Sequence, residues 1–415
     1  MNIKKQVMSY AGVNIINASI PFMLLPILTT FLSPSDYGVL SLIQVLVAIS
    51  LPLVMLNSGG LVKIEFSKLS HFELQSLVSS IIYIPIFSLI LLELLFYLFS
   101  EYISLKFPIP NDFLFIIPVL VFVQAIPTIV MSIFQAKKQP LNYGKYKISL
   151  TILNLSLSII LIVTFSLSWQ GRLYGILLSY FIFSIIALVL LIKLDLLRFY
   201  FDFDIFKKAL MFGVPFIPHA IASVLLSMSG RIFLASHLGT DAVGIYSVAF
   251  QVSSATLIVF TSINQALSPI LYEKLNNNPS MENKIEIVKL TYKTMLAMFV
   301  FYLSFISLSP HFLVFIINEK FMEAKELLPL ISTAFLLQGF YFMIVNYIIY
   351  TKKTYILSLL TTFCSIVSLI LSYYLIDRFG LFGSAYSLIT TWLVFLVIAW
   401  YVSNKIYPMP WGLKS

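Results

Sequence analysis

Apolar positions run along this chain in long blocks, and polar positions collect in short breaks between them. A helix needs about 20 mainly apolar residues to cross a bilayer. The blocks that reach this length are 7–32, 37–62, 77–99, 113–135, 148–168, 173–193, 209–236, 242–271, 291–317, 327–350, 355–376 and 381–403. The breaks carry turn chemistry, as in Ser33-Pro34-Ser35-Asp36 and Asn276-Asn277-Asn278-Pro279. None is long enough for a soluble domain, and the longest polar stretch is 272–290. The pattern predicts an all-α polytopic membrane protein of about 12 transmembrane helices.

Composition agrees. The 415 residues are 60% hydrophobic and 10% charged, with a mean hydropathy of +0.98; soluble domains carry about 25% charged residues. The net charge of +9 could suggest nucleic acid, but its distribution points elsewhere. Of the 26 lysines and arginines, only Lys106, Arg172, Lys320, Lys325 and Arg378 fall in odd-numbered connections, and Arg231 falls within a block. The remainder lie in the terminal segments and even-numbered connections or, as Lys193 and Lys293, at the block ends bordering them. This is the positive-inside bias, and it predicts cytoplasmic termini and no nucleic-acid partner. A short basic region precedes the first block as in a signal peptide, yet the run reaches about residue 32 without a small-residue cleavage site, which predicts a retained first helix. The single cysteine, Cys364, excludes a disulfide framework and a cysteine metal cluster within the chain.

The chain repeats itself. A shift of 206 places Leu32 on Leu238, Gly38 on Gly244, Val39 on Ile245 and Ser41 on Ser247, and a shift of 208 places Gly175 on Gly383. Near-equal offsets at both ends imply two pseudo-symmetric six-helix lobes. The boundaries expected are 1–193 for the first lobe, 194–208 for a cytoplasmic interfacial linker, and 209–415 for the second lobe. Six helices per copy make the repeats parallel, an arrangement that places a substrate site at their interface.

Polar residues inside the blocks supply the candidate chemistry. Pro215, His219, Ser223, Ser227 and Arg231 recur in steps of four along the seventh block, a ridge drifting about 40° per step. In the eighth block Ser247, Gln251, Ser254, Thr261, Gln265 and Ser268 follow steps of three and four, with only Ile258 apolar in that register. Asn14, Asn17 and Pro21 share a face of the first block. Such stripes face either a neighbouring helix or water. Arg231 shifts the balance towards a cavity, because a cation in a span is costly and marks a pathway or site. Glu93 is the one carboxylate well inside an apolar block, a proton-carrier candidate or an interfacial glutamate.

These residues resemble the oligosaccharide flippases of the polysaccharide-biosynthesis family, the Wzx-type O-antigen flippases in particular, within the superfamily that includes multidrug and toxin extrusion antiporters. The resemblance rests on Gly213-x-Pro215-x-x-Pro218-His219, Arg231 and Gly244-Ile245-Tyr246-Ser247-Val248-Ala249. It is supported by Gln135-Ala136-Lys137-Lys138-Gln139-Pro140, Trp169-Gln170-Gly171-Arg172 and Phe321-Met322-Glu323-Ala324. Family members often carry Asp before the span-7 arginine, where this chain has Gly230. The resemblance implies a V-shaped, MATE-like bundle of two lobes that alternates between inward- and outward-open states in the bacterial inner membrane. Its implied substrate is an oligosaccharide repeat unit on undecaprenyl diphosphate, moved to the outer leaflet for O-antigen or related polysaccharide synthesis. No cofactor is implied beyond coupling to a proton or sodium gradient. The implied partners are the lipid-linked substrate, membrane lipids, and the polymerase and chain-length regulator of such a pathway.

A diphosphate-linked sugar cannot enter hydrocarbon without losing its hydration, so a flippase needs a cation and many hydrogen-bonding groups. Arg231 is the expected anion ligand, and His219, Ser223, Ser227, Ser247, Gln251, Ser254, Thr261, Gln265, Asn14 and Asn17 the expected cavity wall. His219 and Glu93 are the coupling candidates, because histidine titrates near neutral pH; helix packing is the competing role for His219. A cation antiporter of the same fold should need more membrane carboxylates. An integral-membrane polymerase or ligase should need a large outward loop. Enzyme chemistry is therefore not expected.

Overall fold

The computed structural model describes residues 3–198, 200–276 and 280–412, with side chains from residue 12 onward except 14 and 15. Among them the regular elements are all helical. In chain order these are α1 (Ile3–Phe31), α2 (Pro34–Met55), α3 (Ser58–Glu65), α4 (His71–Ile81), α5 (Tyr83–Leu98), α6 (Ser100–Lys106), α7 (Asn111–Leu114) and α8 (Ile116–Ala136). There follow α9 (Pro140–Ile159), α10 (Ser168–Lys193), α11 (Phe203–Gly213), α12 (Ile217–Asn276), α13 (Met281–Ile316), α14 (Ala324–Tyr350), α15 (Thr354–Phe379) and α16 (Leu381–Ile406).

Ten helical segments among the described residues are long and apolar enough to cross a membrane. One of them, Phe203–Asn276, has 74 residues. At 1.5 Å per residue a straight helix of that length would reach about 110 Å, more than three times the hydrocarbon core. It is interrupted at Gly239, whose φ of 84° and ψ of −177° lie outside the helical region. The segment therefore supplies two crossings, as the separate blocks 209–236 and 242–271 predicted. The apolar part of α1, Ile16–Phe31, is shorter than the rest. Together these account for the all-helical plan of about 12 crossings read from the pattern.

Several boundaries differ from the expected ones. Block 37–62 is not one helix: α2 ends after Pro52, with Leu56 and Asn57 in the left-handed region, and α3 follows. The helical path of the third block starts earlier than 77, at α4, where Ser70 and Glu73 form a reciprocal capping box. The sixth block starts at Ser168 rather than 173.

By contacts the chain divides into two compact units, Met1–Val224 with Gly239–Gly244, and Leu225–Leu238 with Ile245–Ser415. The core of the first is an aliphatic cluster from α3, α4, α8, α9 and α10, including Val62, Val78, Ile129, Val130 and Leu191. Helix α11 joins it through Ala209, and a β-carbon on Gly213 would overlap the carbonyl of Leu56. The connecting segment is pinned to α4: the Arg198 amide donates to Ser79 Oγ at 2.9 Å and the Asp202 amide to Ser80 Oγ at 3.2 Å.

The same unit contains a reciprocal contact between repeat-related positions. A β-carbon on Gly38 would overlap the carbonyl of Thr240, and one on Gly244 would overlap that of Pro34. Pro34 and Gly38 map onto Thr240 and Gly244 under the 206-residue shift. Each glycine thus lets the backbone of the other segment come close, and the Ser35 and Thr240 hydroxyls meet there at 2.6 Å.

The second unit is held by hydroxyls and aromatics. Ser229 Oγ meets Ser368 Oγ at 2.8 Å and Ser372 Oγ at 3.0 Å, and Ser372 donates to Ser387 at 3.2 Å. This ties α12, α15 and α16 where hydrocarbon gives helices no hydrophobic drive to associate. Nearer the end of α12, Asn346 Nδ2 donates to Asn264 Oδ1 at 2.8 Å.

Candidate functional site

Helices α9 and α10 pack through small residues. A β-carbon on Gly175 would overlap Ser158, and one on Gly171 would sit 3.0 Å from the backbone of Leu161. Without side chains at these positions, α10 comes close enough for the next residue, Arg172, to reach α9. Its Nη1 donates to Asn154 Oδ1 and, at 2.7 Å, to Ser158 Oγ. Ser158 in turn donates to the Asn154 carbonyl at 2.7 Å.

Arg172 lines a cavity of about 310 Å³ within the first unit. Polar groups reach its wall from four helices: Gln44 from α2, Gln124 from α8, Asn154 from α9, and Arg172 with Tyr180 from α10. Leu40, Ile43, Val47, Leu120 and Ile176 contribute apolar surface, and the wall contains no carboxylate. A guanidinium has five N–H donors in a rigid fork. The hydrogen bonds of Arg172 among the described residues both leave from Nη1, so Nη2 and Nε remain to meet a ligand. An uncompensated cation ringed by amides and a phenol suits an anion that also carries hydroxyls.

Arg231 sits differently. It is 6% exposed; its Nε donates to Ser247 Oγ at 3.1 Å, and its guanidinium carbon lies 4.7 Å from the centroid of the Phe250 ring. Both partners follow Gly239 on α12. Gly230, where relatives by resemblance carry Asp, has the Tyr246 ring and Ser384 beside it.

The other expected wall residues disperse. Arg231, Ser227, Ser247, Gln251, Ser254, Thr261 and Gln265 belong to the second unit, and Asn17, His219 and Ser223 to the first. Several hydroxyls bond their own helix: Ser223 to the His219 carbonyl, Ser254 to that of Gln251, and Thr261 to that of Leu257. Asn17 accepts from Thr151 at 2.7 Å. The side chain of Asn14 lies outside the described residues. His219 has a buried Nδ1 with no hydrogen-bond partner among the described residues. Glu93 is half-buried on α5. No group of three or more His, Cys, Asp or Glu among the described residues could hold a metal ion.

By the apolar pattern Arg172 falls in an odd-numbered connection. The structure places it in the second turn of α10, because that helix starts at Ser168. The signal available was the pair of glycines flanking Arg172 at the helix spacing of four.

The fold defined by these helices is MATE- and MurJ-like. It is similar to a multidrug resistance MATE family transporter in its inward-facing conformation, with a TM-score of 0.74 and 13% identity over 98% of this chain and 95% of that one. It is also similar to the lipid II flippase MurJ in an inward closed conformation, with a TM-score of 0.77 and 14% identity over 95% and 87%. The chain belongs to the polysaccharide biosynthesis protein family, whose profile matches residues 3–274. Two Haemophilus influenzae proteins are similar along most of their length. One, described as an uncharacterized membrane protein, is 25% identical over 84% of this chain and 83% of its own. The other, protein 1 of the Lsg locus, is 26% identical over 85% of each.

Proposed function

We propose that this protein flips an oligosaccharide carried on a polyprenyl diphosphate, undecaprenyl diphosphate in a bacterial inner membrane, for assembly of O-antigen or a related surface polysaccharide. The observation that carries the reading is the Arg172 cavity, a cationic, amide-lined space with no acidic group in its wall. Buried at that site, a diphosphate or acidic sugar meets the free donors of Arg172, while Gln44, Gln124 and Asn154 exchange hydrogen bonds with sugar hydroxyls. The hydrocarbon tail stays in the bilayer, so only the head group needs a polar route. A cation antiporter would need negative charge in such a wall.

Arg231 is proposed as a second anion ligand, one that exchanges Phe250 and Ser247 for the substrate during the transport cycle. The termini are proposed to be cytoplasmic, on the lysine bias. Coupling to a proton or sodium gradient is proposed through His219, whose unsatisfied Nδ1 leaves room for a change of partner, or through Glu93. A polymerase and a chain-length regulator acting on the flipped product are the proposed pathway partners. The test is complementation of a flippase-deficient strain. Arg172→Ala should abolish surface polysaccharide while the protein still reaches the membrane; full polysaccharide from that variant overturns the assignment.

A further inference from the structure

A pair of further cavities lies in the first unit, away from Arg172, where the α10–α11 connection crosses α4. The larger, about 330 Å³, is an apolar slot walled chiefly by Ile82, Ile86, Phe122, Ile126, Leu188 and Ile192. The smaller, about 150 Å³, has Phe72, Gln75, Ser76 and Tyr200 in its wall. Arg198 and Ser79 line both, so a cationic side chain stands where the two spaces meet.

The pair runs from the end of the apolar helix α10 back along that helix. Arg198 follows the last turn of α10, and Ile192 and Leu188 recede along that helix by about 6 Å. Aromatic rings mark the same level: Tyr83 meets Phe201 with centroids 5.2 Å apart, and Phe206 meets Phe201 at 5.3 Å and Phe87 at 5.7 Å. Aromatic side chains of this kind favour the headgroup region.

Arg198 is positioned but not consumed. Its amide is fixed to Ser79 Oγ at 2.9 Å. Its guanidinium lies 3.8 Å from Asp195 Oδ1, with both side chains about 60% exposed, a geometry worth little. The Asp195 carboxylate is also engaged by Gln75 Nε2 at 2.9 Å and faces His71 at 3.3 Å. Donors of the guanidinium fork are therefore open to a phosphate.

We propose that this pair of cavities binds a membrane glycerophospholipid, with its phosphate on Arg198 and one acyl chain in the slot between α5, α8 and α10. The bound lipid fastens the connecting segment to the bilayer surface. The site does not depend on the transported substrate.

The test uses the full chain, purified in detergent and stripped of lipid, with binding followed by native mass spectrometry. Phosphatidylglycerol and phosphatidylethanolamine should both bind in a one-to-one complex, because both carry the phosphate and the chain. Diacylglycerol should fail for want of the phosphate, and inorganic phosphate should not compete, for want of the chain. Arg198→Gln and the slot-filling Ile86→Trp should each weaken binding about tenfold, while Lys68→Gln leaves it unchanged. Thermal unfolding of the lipid-free variants establishes that each is folded. Equal binding of diacylglycerol, competition by inorganic phosphate, or wild-type affinity in both Arg198→Gln and Ile86→Trp overturns the proposal.

Discussion

Arg172 and Arg231 are both arginines held inside helical bundles, one in each unit, and their surroundings differ in kind. Arg231 rests on the face of Phe250 and donates to Ser247. An aromatic shelf of this sort contributes roughly 0.5–2 kcal/mol and shields the charge from water. Arg172 has an amide and a hydroxyl as partners and a cavity before it. A buried cation identifies a binding site only when part of its donor fork faces space that a ligand can fill. By that criterion the donor fork of Arg172 faces open space, whereas the guanidinium of Arg231 is covered by Phe250.

The comparison is most easily broken by substitution. Arg172→Ala is expected to have the largest effect, lowering transport roughly 10- to 100-fold, the worth of one or two charge-assisted hydrogen bonds. Arg172→Lys should restore little, because an ammonium lacks the planar fork that holds Asn154 and Ser158 while meeting a ligand. Initial rates in proteoliposomes measure both. Gly175→Leu should come next: its side chain would push α10 away from Ser158, at a cost of about 1–3 kcal/mol, seen as earlier thermal unfolding in detergent together with lost transport. Arg231→Ala should reduce transport less than Arg172→Ala, by about threefold to tenfold for a cation engaged during only part of the cycle. An equal or larger loss would reverse the ranking of the two arginines. Smallest should be His219→Ala, which leaves basal flipping within about twofold and abolishes its response to a pH gradient; an unchanged response removes His219 from the coupling path.

Most of the fold was legible because membrane helices announce themselves by apolar length, which survives errors of several residues at each end. The two glycines aligned by the 206-residue shift, Gly38 and Gly244, lie where a side chain would clash with the carbonyls of Thr240 and Pro34. The candidate site was less legible. Gln44, Gln124, Asn154 and Arg172 each stand nearly alone in an apolar stretch, on four different helices. No periodicity links them, and only tertiary packing brings them to one wall. The stripe on α12 was the more conspicuous pattern, yet hydroxyls such as Ser254 and Thr261 turn back to their own backbone, the ordinary use of such residues within helices. The start of α10 decided the remainder: a difference of five residues between Ser168 and the expected 173 turned Arg172 from a loop cation into an interior one.

The most direct test of the central claim is flipping of a fluorescent polyprenyl-diphosphate oligosaccharide in proteoliposomes, comparing wild type, Arg172→Ala and Arg172→Lys at matched protein incorporation. The account predicts rapid flipping by the wild type and a loss of at least about tenfold in both variants. Wild-type rates in Arg172→Ala would contradict it.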